Sequence, residues 1–201
     1  MSEPRIGRVL VASLHQSIAD LLPTRLEFYE NWINVSGLRE GTIGLAPLSA
    51  VLSFLRTEGE AYALITSRAG RYAGDWTVST LPPLERRIIS RLPAALRARA
   101  ALRVGRQLVR STYPGSRAIV RLRGSVGSVD LRGSLFCEVR EVPATPLCGF
   151  YAAAIGRVLE LFDIHASATV TECRAGGGRK GCLLSVVVNS GPAPTGEQAA
   201  A

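Results

Sequence analysis

The chain has 201 residues, of which 47% are hydrophobic, and its formal net charge is +8. A chain of this length and hydrophobic content can bury a core without a disulfide or a metal ion. It shows no signal-peptide pattern and no uninterrupted apolar run of about 18–20 residues, the length of a transmembrane helix. We therefore expect a cytoplasmic protein whose four cysteines are thiols or metal ligands.

The first half of the chain predicts helices. Residues 13–33 have helical spacing, with Pro23 either at a kink or in the first turn of a second helix. A loop is predicted over 34–44, followed by helices over 46–59 and 60–76. Two further helices, over 81–92 and 93–113, begin at prolines, which are favoured in the first helical turn.

The last of these helices carries a row of basic residues. Four arginines recur at helical spacing on one face: Arg99, Arg103, Arg106 and Arg110. Two interpretations are open, a solvated helix face or a docking surface for an acidic protein or an anionic membrane. Sequence-specific nucleic-acid binding is not expected, because the chain lacks interleaved aromatics, a helix-turn-helix signature and zinc-finger spacing.

The second half alternates between strand and helix patterns. Residues 117–124 and 128–139 alternate apolar with polar side chains, as do 166–173 and 182–188, whereas 146–162 has helical spacing. The expected fold class is α+β: an N-terminal helical layer packed on an antiparallel sheet of two hairpins, with one helix inserted between the hairpins. We expect one domain over 1–188 and a disordered tail over 189–201.

The cysteines raise the main functional question. Cys173 and Cys182 bracket a glycine-rich turn, so a hairpin brings both thiols to the same end of its ladder, and Cys148 precedes the inserted helix. Three interpretations are open: a metal site, small apolar core residues, or redox or nucleophilic chemistry. The third is disfavoured because neither His15 nor His165 stands in a nucleophile motif. Cys137 is expected to be an ordinary core residue in a strand.

The segments LCGFYAAAIGRVLELF, TVTECRAGGGRKGC and CLLSVVV resemble the C-terminal part of the four-vinyl-reductase domain family, a branch of the fold also used by TRAPP subunits. The resemblance implies a structural zinc held by three cysteines, here Cys148, Cys173 and Cys182, and a glutamate. The family's glutamate position is occupied by Val170, and Glu172 is adjacent to Cys173 instead. The fourth ligand is then Glu172 at a bulge, His165 or water, unless the cysteines are core residues without metal.

The same resemblance implies a pocket for a hydrophobic small molecule. We expect ligand contacts from aromatic and apolar residues of two helices: Tyr72, Trp76, Phe150, Tyr151 and Ile155. The leading hypothesis is a stand-alone, sensor-type binding domain that forms a homodimer. Alternatives are a TRAPP-like dimeric scaffold and an enzyme of the tetrapyrrole 4-vinyl reductase type. Catalysis is disfavoured, because the chain has no dinucleotide fingerprint and no phosphate-cradling loop.

Overall fold

The computed structural model describes residues 6–33, 37, 43–139, 141–177 and 180–188. Most of the loop predicted over 34–44 and the whole tail predicted over 189–201 lie outside these residues. Among the described residues, no helix combines the length and the apolar character needed to cross a membrane.

The helices occur where the sequence pattern predicts them. Pro23 begins a short 3-10 turn, Pro23–Arg25, so the first predicted helical segment is two helices rather than one kinked helix. The α-helices whose bounds fall within the described residues are α1 Arg8–Leu21, α2 Leu26–Glu30, α3 Leu45–Thr57, α4 Glu60–Ser79, α5 Pro83–Arg91, α6 Ala94–Thr112 and α7 Gly149–Glu160.

In the part of the chain that the structure describes, four antiparallel strands form one sheet. They are β1 Arg117–Arg123, β2 Val126–Arg132, β3 Ala166–Glu172 and β4 Cys182–Val188. Their order in the sheet is β1-β2-β4-β3, so the two hairpins meet through the β2–β4 pair. The helix α7 lies between the hairpins in sequence, and the predicted α+β architecture is confirmed.

One face of the sheet is covered by helices. The strand β2 buries Gly127, Val129 and Leu131, whereas its alternate residues are more exposed, as expected for a half-buried strand. The helix α7 packs between α4 and β3, and α6 packs on β1. The helices α4 and α7 approach each other closely at Gly70. A Cβ atom added there would lie only 2.2 Å from the Phe150 carbonyl oxygen.

The strand predicted over 128–139 is wrong in its second half. The strand β2 ends at Arg132, and Gly133 follows with a left-handed φ of 66°, a conformation that favours glycine. The chain then forms a 3-10 turn, Leu135–Cys137, instead of continuing the ladder. This turn moves Cys137 off the sheet and into the neighbourhood of the other cysteines.

Candidate metal centre

The sulfur atoms of all four cysteines converge at one end of the sheet. The Sγ atoms of Cys137, Cys148, Cys173 and Cys182 all lie within 4.8 Å of one another. The Sγ of Cys137 is 2.9 Å from that of Cys148, 3.4 Å from that of Cys173 and 3.3 Å from that of Cys182. A disulfide requires about 2.05 Å between its sulfurs, so these four residues are free thiols.

Each cysteine comes from a different structural element. Cys137 ends the 3-10 turn after β2, and Cys148 occupies the N-cap position of α7. Cys173 follows β3 and precedes a second 3-10 turn, Arg174–Gly176, and Cys182 begins β4. The cluster therefore links both hairpins and α7 at a single point.

The polar surroundings of the cluster favour negative charge on two of the sulfurs. Hydrogen bonding from Cys148 outweighs burial and lowers the pKa of Cys173 to about 6. The pKa of Cys182 is also lowered, by hydrogen bonds from Cys137, from Cys148 and from the backbone N–H of Arg174, which is 3.3 Å from the sulfur. The pKa of Cys148 is raised, because it donates to the neighbouring sulfurs and is buried.

The donor set fits a tetrahedral thiophilic metal ion. Zinc–sulfur bonds of about 2.3 Å place the sulfurs of a tetrahedral site about 3.8 Å apart, and the four sulfurs, all within 4.8 Å of one another, require only small movements to reach that spacing. Four thiolates are typical ligands of structural zinc or of iron. The backbone N–H of Arg174 donates a hydrogen bond to the Cys182 sulfur. Hydrogen bonds of this kind support metal-bound thiolates.

The fourth member of this group differs from the sequence expectation. Cys137 belongs to the cluster, although it was expected to be only a core residue, and it is buried as well. Glu172 is exposed at the end of β3, where a bulge pairs it with Leu183. Cross-strand partners share a sheet face and successive residues alternate faces, so Glu172 lies on the face opposite to Cys182. His165 is exposed beside the N-terminus of α6, at a different cleft.

A cleft borders the cysteine cluster, and we call it the Tyr62 cleft. It lies between the first turns of α4 and residues 143–147, has a volume of about 550 Å³, and is lined by Arg56, Tyr62, Ala63, Leu64, Pro143 and Leu147 among others. The Tyr62 hydroxyl donates to the Leu147 carbonyl oxygen at 3.1 Å, directly before Cys148. Leu147 in the wall of the cleft and Cys148 in the cysteine cluster are thus consecutive residues.

Arg56 brings a polar side chain to this mostly apolar cleft. Its Nη2 donates to the Phe136 carbonyl oxygen at 3.2 Å, next to Cys137. Its Nε is buried and has no hydrogen-bond partner in the part of the chain that the structure describes. A buried donor without a partner is unfavourable, so this Nε–H is a donor that the described residues leave unused.

The residues predicted to contact a ligand lie elsewhere. Phe150, Tyr151 and Ile155 are fully buried on α7, where Phe150 stacks on Phe136 with ring centroids 5.0 Å apart. Tyr72 and Trp76 stack on each other at the partly exposed surface of α4. None of the five lines the Tyr62 cleft, and their role in ligand contact stays a prediction.

Comparison with known proteins identifies the fold. Neither a protein-family profile nor a curated protein sequence matches the chain. The phenol-responsive sensory domain of the transcription activator PoxR, crystallised with phenol, is similar at a TM-score of 0.52 and 17% identity, covering 72% of this chain and 74% of that chain. An Fe(II) unliganded H-NOX protein mutant from K. algicida gives a TM-score of 0.53 at 15% identity, covering 92% and 97%.

A third solved structure is more distant. The trafficking protein particle complex subunit 3 from Naegleria fowleri, covalently bound to palmitic acid, gives a TM-score of 0.47 at 14% identity, covering 71% of this chain and 93% of that chain. A similarity at this level is too weak to support a conclusion about this chain. The other two likenesses show that the fold is one found in these two proteins, and the assignment to the four-vinyl-reductase family stays a prediction.

Proposed function

We propose that this chain is a sensor-type domain that binds a hydrophobic small molecule, with a zinc ion on its four cysteines stabilising the binding cleft. The observation that carries the proposal is the convergence of four thiols from four separate elements. A closed tetrathiolate site has no open coordination position, so the zinc is structural rather than catalytic.

The structural role follows from where the cysteines lie. Cys148 is preceded by Leu147 and followed by α7, and Cys137 is preceded by Phe136, which accepts the hydrogen bond from Arg56. When zinc holds these cysteines, both the apolar wall of the Tyr62 cleft and its Arg56 side chain are fixed in place. Loss of the cluster therefore loosens the cleft.

The cleft has the dimensions and chemistry of a small-molecule site. Its volume of about 550 Å³ falls in the range of about 300–1,000 Å³ that is typical of ligand pockets. Apolar side chains form most of its lining, and Arg56 supplies a donor for one polar group. The fold shared with a phenol-responsive sensory domain supports a ligand of this kind, an apolar body that bears one hydrogen-bond acceptor.

Metal content tests the first part of the proposal. Elemental analysis and native mass spectrometry of protein purified without chelator should find one zinc per chain, and Cys137→Ser should lose most of it. Glu172→Gln is the matched control and should retain it. Zinc in Cys137→Ser at the wild-type level, or its loss in Glu172→Gln, would show that the ligand set is the one expected from the sequence resemblance.

Ligand binding tests the second part. Titration calorimetry with phenol should detect binding to the wild type, and Ala63→Trp, which fills the Tyr62 cleft, should abolish it. Trp76→Ala tests the alternative site predicted from the sequence and should leave phenol binding unchanged. Binding that survives Ala63→Trp but is lost in Trp76→Ala would move the ligand site to the α4 surface.

A dimeric scaffold is a second candidate function, and one surface feature favours it. Phe28, Trp32 and Phe54 are each about 40% exposed and pack against one another, with the Phe28 and Phe54 rings 5.1 Å apart. Contiguous exposed aromatics mark interaction surfaces. Light scattering on the wild type and on Phe54→Ser tests this: a dimer that the substitution dissociates supports the scaffold, and a wild-type monomer rejects it.

A further inference from the structure

A band of arginines surrounds one edge of the sheet, and we call it the arginine edge. It consists of exposed arginines on two neighbouring elements, α6 and β1: Arg99, Arg103, Arg106, Arg110, Arg117, Arg121 and Arg123. From residue 86 to residue 129 the sequence contains no aspartate or glutamate. No ion pair joins the seven arginines to any other residue that the structure describes, so this positive charge is not neutralised within the described chain.

The strand β1 has an open edge at the centre of this band. Among the described strands it pairs only with β2, so one side of its backbone has no strand neighbour. Its side chains alternate: Val120 and Leu122 face α6, whereas Arg121 and Arg123 lie on the opposite, exposed face. An exposed edge with unpaired N–H and C=O groups is a template for a further strand.

The inner side of this edge forms a shallow groove. Its floor is Leu102, Val120 and Leu122, and its rim is Arg99, Arg103 and Arg106, which enclose about 270 Å³. An extended segment lying beside β1 therefore has α6 arginines on one face and β1 arginines on the other. Because side chains of a strand alternate in direction, acidic residues at any position of such a segment reach one of the two rows.

We propose that the arginine edge binds an extended acidic peptide from a partner protein, which adds to β1 as a further strand. Main-chain hydrogen bonds supply the affinity in this mode, and the flanking side chains supply the specificity. A second copy of this chain is a poor occupant, because pairing β1 with β1 brings like charges together. A flat lipid bilayer can contact only one of the two arginine rows at a time.

Fluorescence anisotropy with a labelled peptide of consecutive Glu residues, which presents carboxylates on both faces of an added strand, tests the proposal on the full chain. The peptide should bind at low salt and weaken as salt increases. The triple variant Arg99→Ala, Arg103→Ala and Arg106→Ala should bind about tenfold more weakly, the combined effect of three exposed ion pairs. The triple variant Arg25→Ala, Arg68→Ala and Arg71→Ala removes the same charge elsewhere and should bind like the wild type.

Two further probes decide the mode of binding and the class of partner. The same peptide with N-methylated backbone amides keeps its charges but cannot add as a strand, so it should lose binding. Equal binding of the N-methylated peptide overturns the proposal, and so does an equal loss of affinity in the two triple variants. Tighter, arginine-dependent binding to phosphatidylserine vesicles or to single-stranded oligothymidine than to the peptide also overturns it.

Discussion

Substitution of Gly70 by alanine should test how closely α4 must approach α7. The added Cβ would lie 2.2 Å from the Phe150 carbonyl oxygen and 3.0 Å from both the Ala153 Cβ and the Ala154 backbone nitrogen. Ordinary contacts of a Cβ begin near 3.4 Å, so the two helices must separate by about 1 Å. The obstacle is main chain rather than a flexible side chain, and it cannot rotate away.

The expected loss of stability is the difference between two opposing effects. Overpacking of a core contact of this kind destabilises by about 1–3 kcal/mol, and the unyielding backbone places Gly70→Ala at the upper end. Alanine is favoured over glycine inside a helix by about 0.5–1 kcal/mol. The net loss is then about 2 kcal/mol, which lowers the Tm of a chain of this length by about 4–8 °C.

Gly156→Ala is the matched control on the facing helix. Its Cβ would meet only the Ala168 Cβ, at 3.8 Å, so the helix preference for alanine should dominate and raise Tm by about 1–4 °C. Urea and thermal unfolding followed by circular dichroism measure both variants. A Gly70→Ala protein as stable as the wild type, or more stable, would refute the argument that this contact sets the spacing of the helices.

Zinc content should also fall in Gly70→Ala, because Cys148 stands at the N-cap of α7.

Three further predictions concern the cleft, the helix interface and the metal. Tyr62→Phe leaves the Leu147 carbonyl oxygen buried without its donor and should lower the free energy of unfolding by about 1–3 kcal/mol; an unchanged urea midpoint contradicts this. Burial acts to raise the pKa of Glu160, but hydrogen bonds from Arg71 and Arg157 lower it below its ordinary 4.5. The stabilisation from this carboxylate is thus present above about pH 4.5 and is lost as the pH falls through the lowered value. In urea unfolding, Glu160→Gln should therefore lower the free energy of unfolding by about 0.5 kcal/mol at neutral pH. In acid, the same substitution should have no effect. A strong chelator should lower Tm and make Cys173 reactive towards a thiol reagent, with no such change in a zinc-depleted Cys137→Ser control.

The secondary structure was largely predictable, because local patterns decide it. Prolines mark the starts of α5 and α6, and Gly59 separates α3 from α4 with a left-handed φ of 64°. Alternating side chains mark the four strands. The misassigned segment after β2 shows the limit of such patterns, since Leu135 and Cys137 alternate as in a strand although the chain turns at Gly133.

The candidate site was only partly predictable. Cys148, Cys173 and Cys182 could be named because their order along the chain resembles a known pattern. Cys137 could not, because its partners are 11, 36 and 45 residues away in sequence and it reaches them only after the turn at Gly133. The Tyr62 cleft was missed for a similar reason: residues 143–147 have no periodic pattern, and only the packed structure brings them against α4.

The sequence by itself therefore determined the α+β class, the hairpins, the inserted helix and the arginines of α6, since each depends on residues close together in the chain. Tertiary structure decided the fourth thiol of the cluster, the position of the cleft and the pairing of two arginine rows around β1. Side chains that are distant in sequence meet only when turns and helix packing bring their elements together. The fourth thiol depends on the turn at Gly133, the cleft on the packing of residues 143–147 against α4, and the two arginine rows on the packing of α6 against β1; none of these is visible in a local pattern.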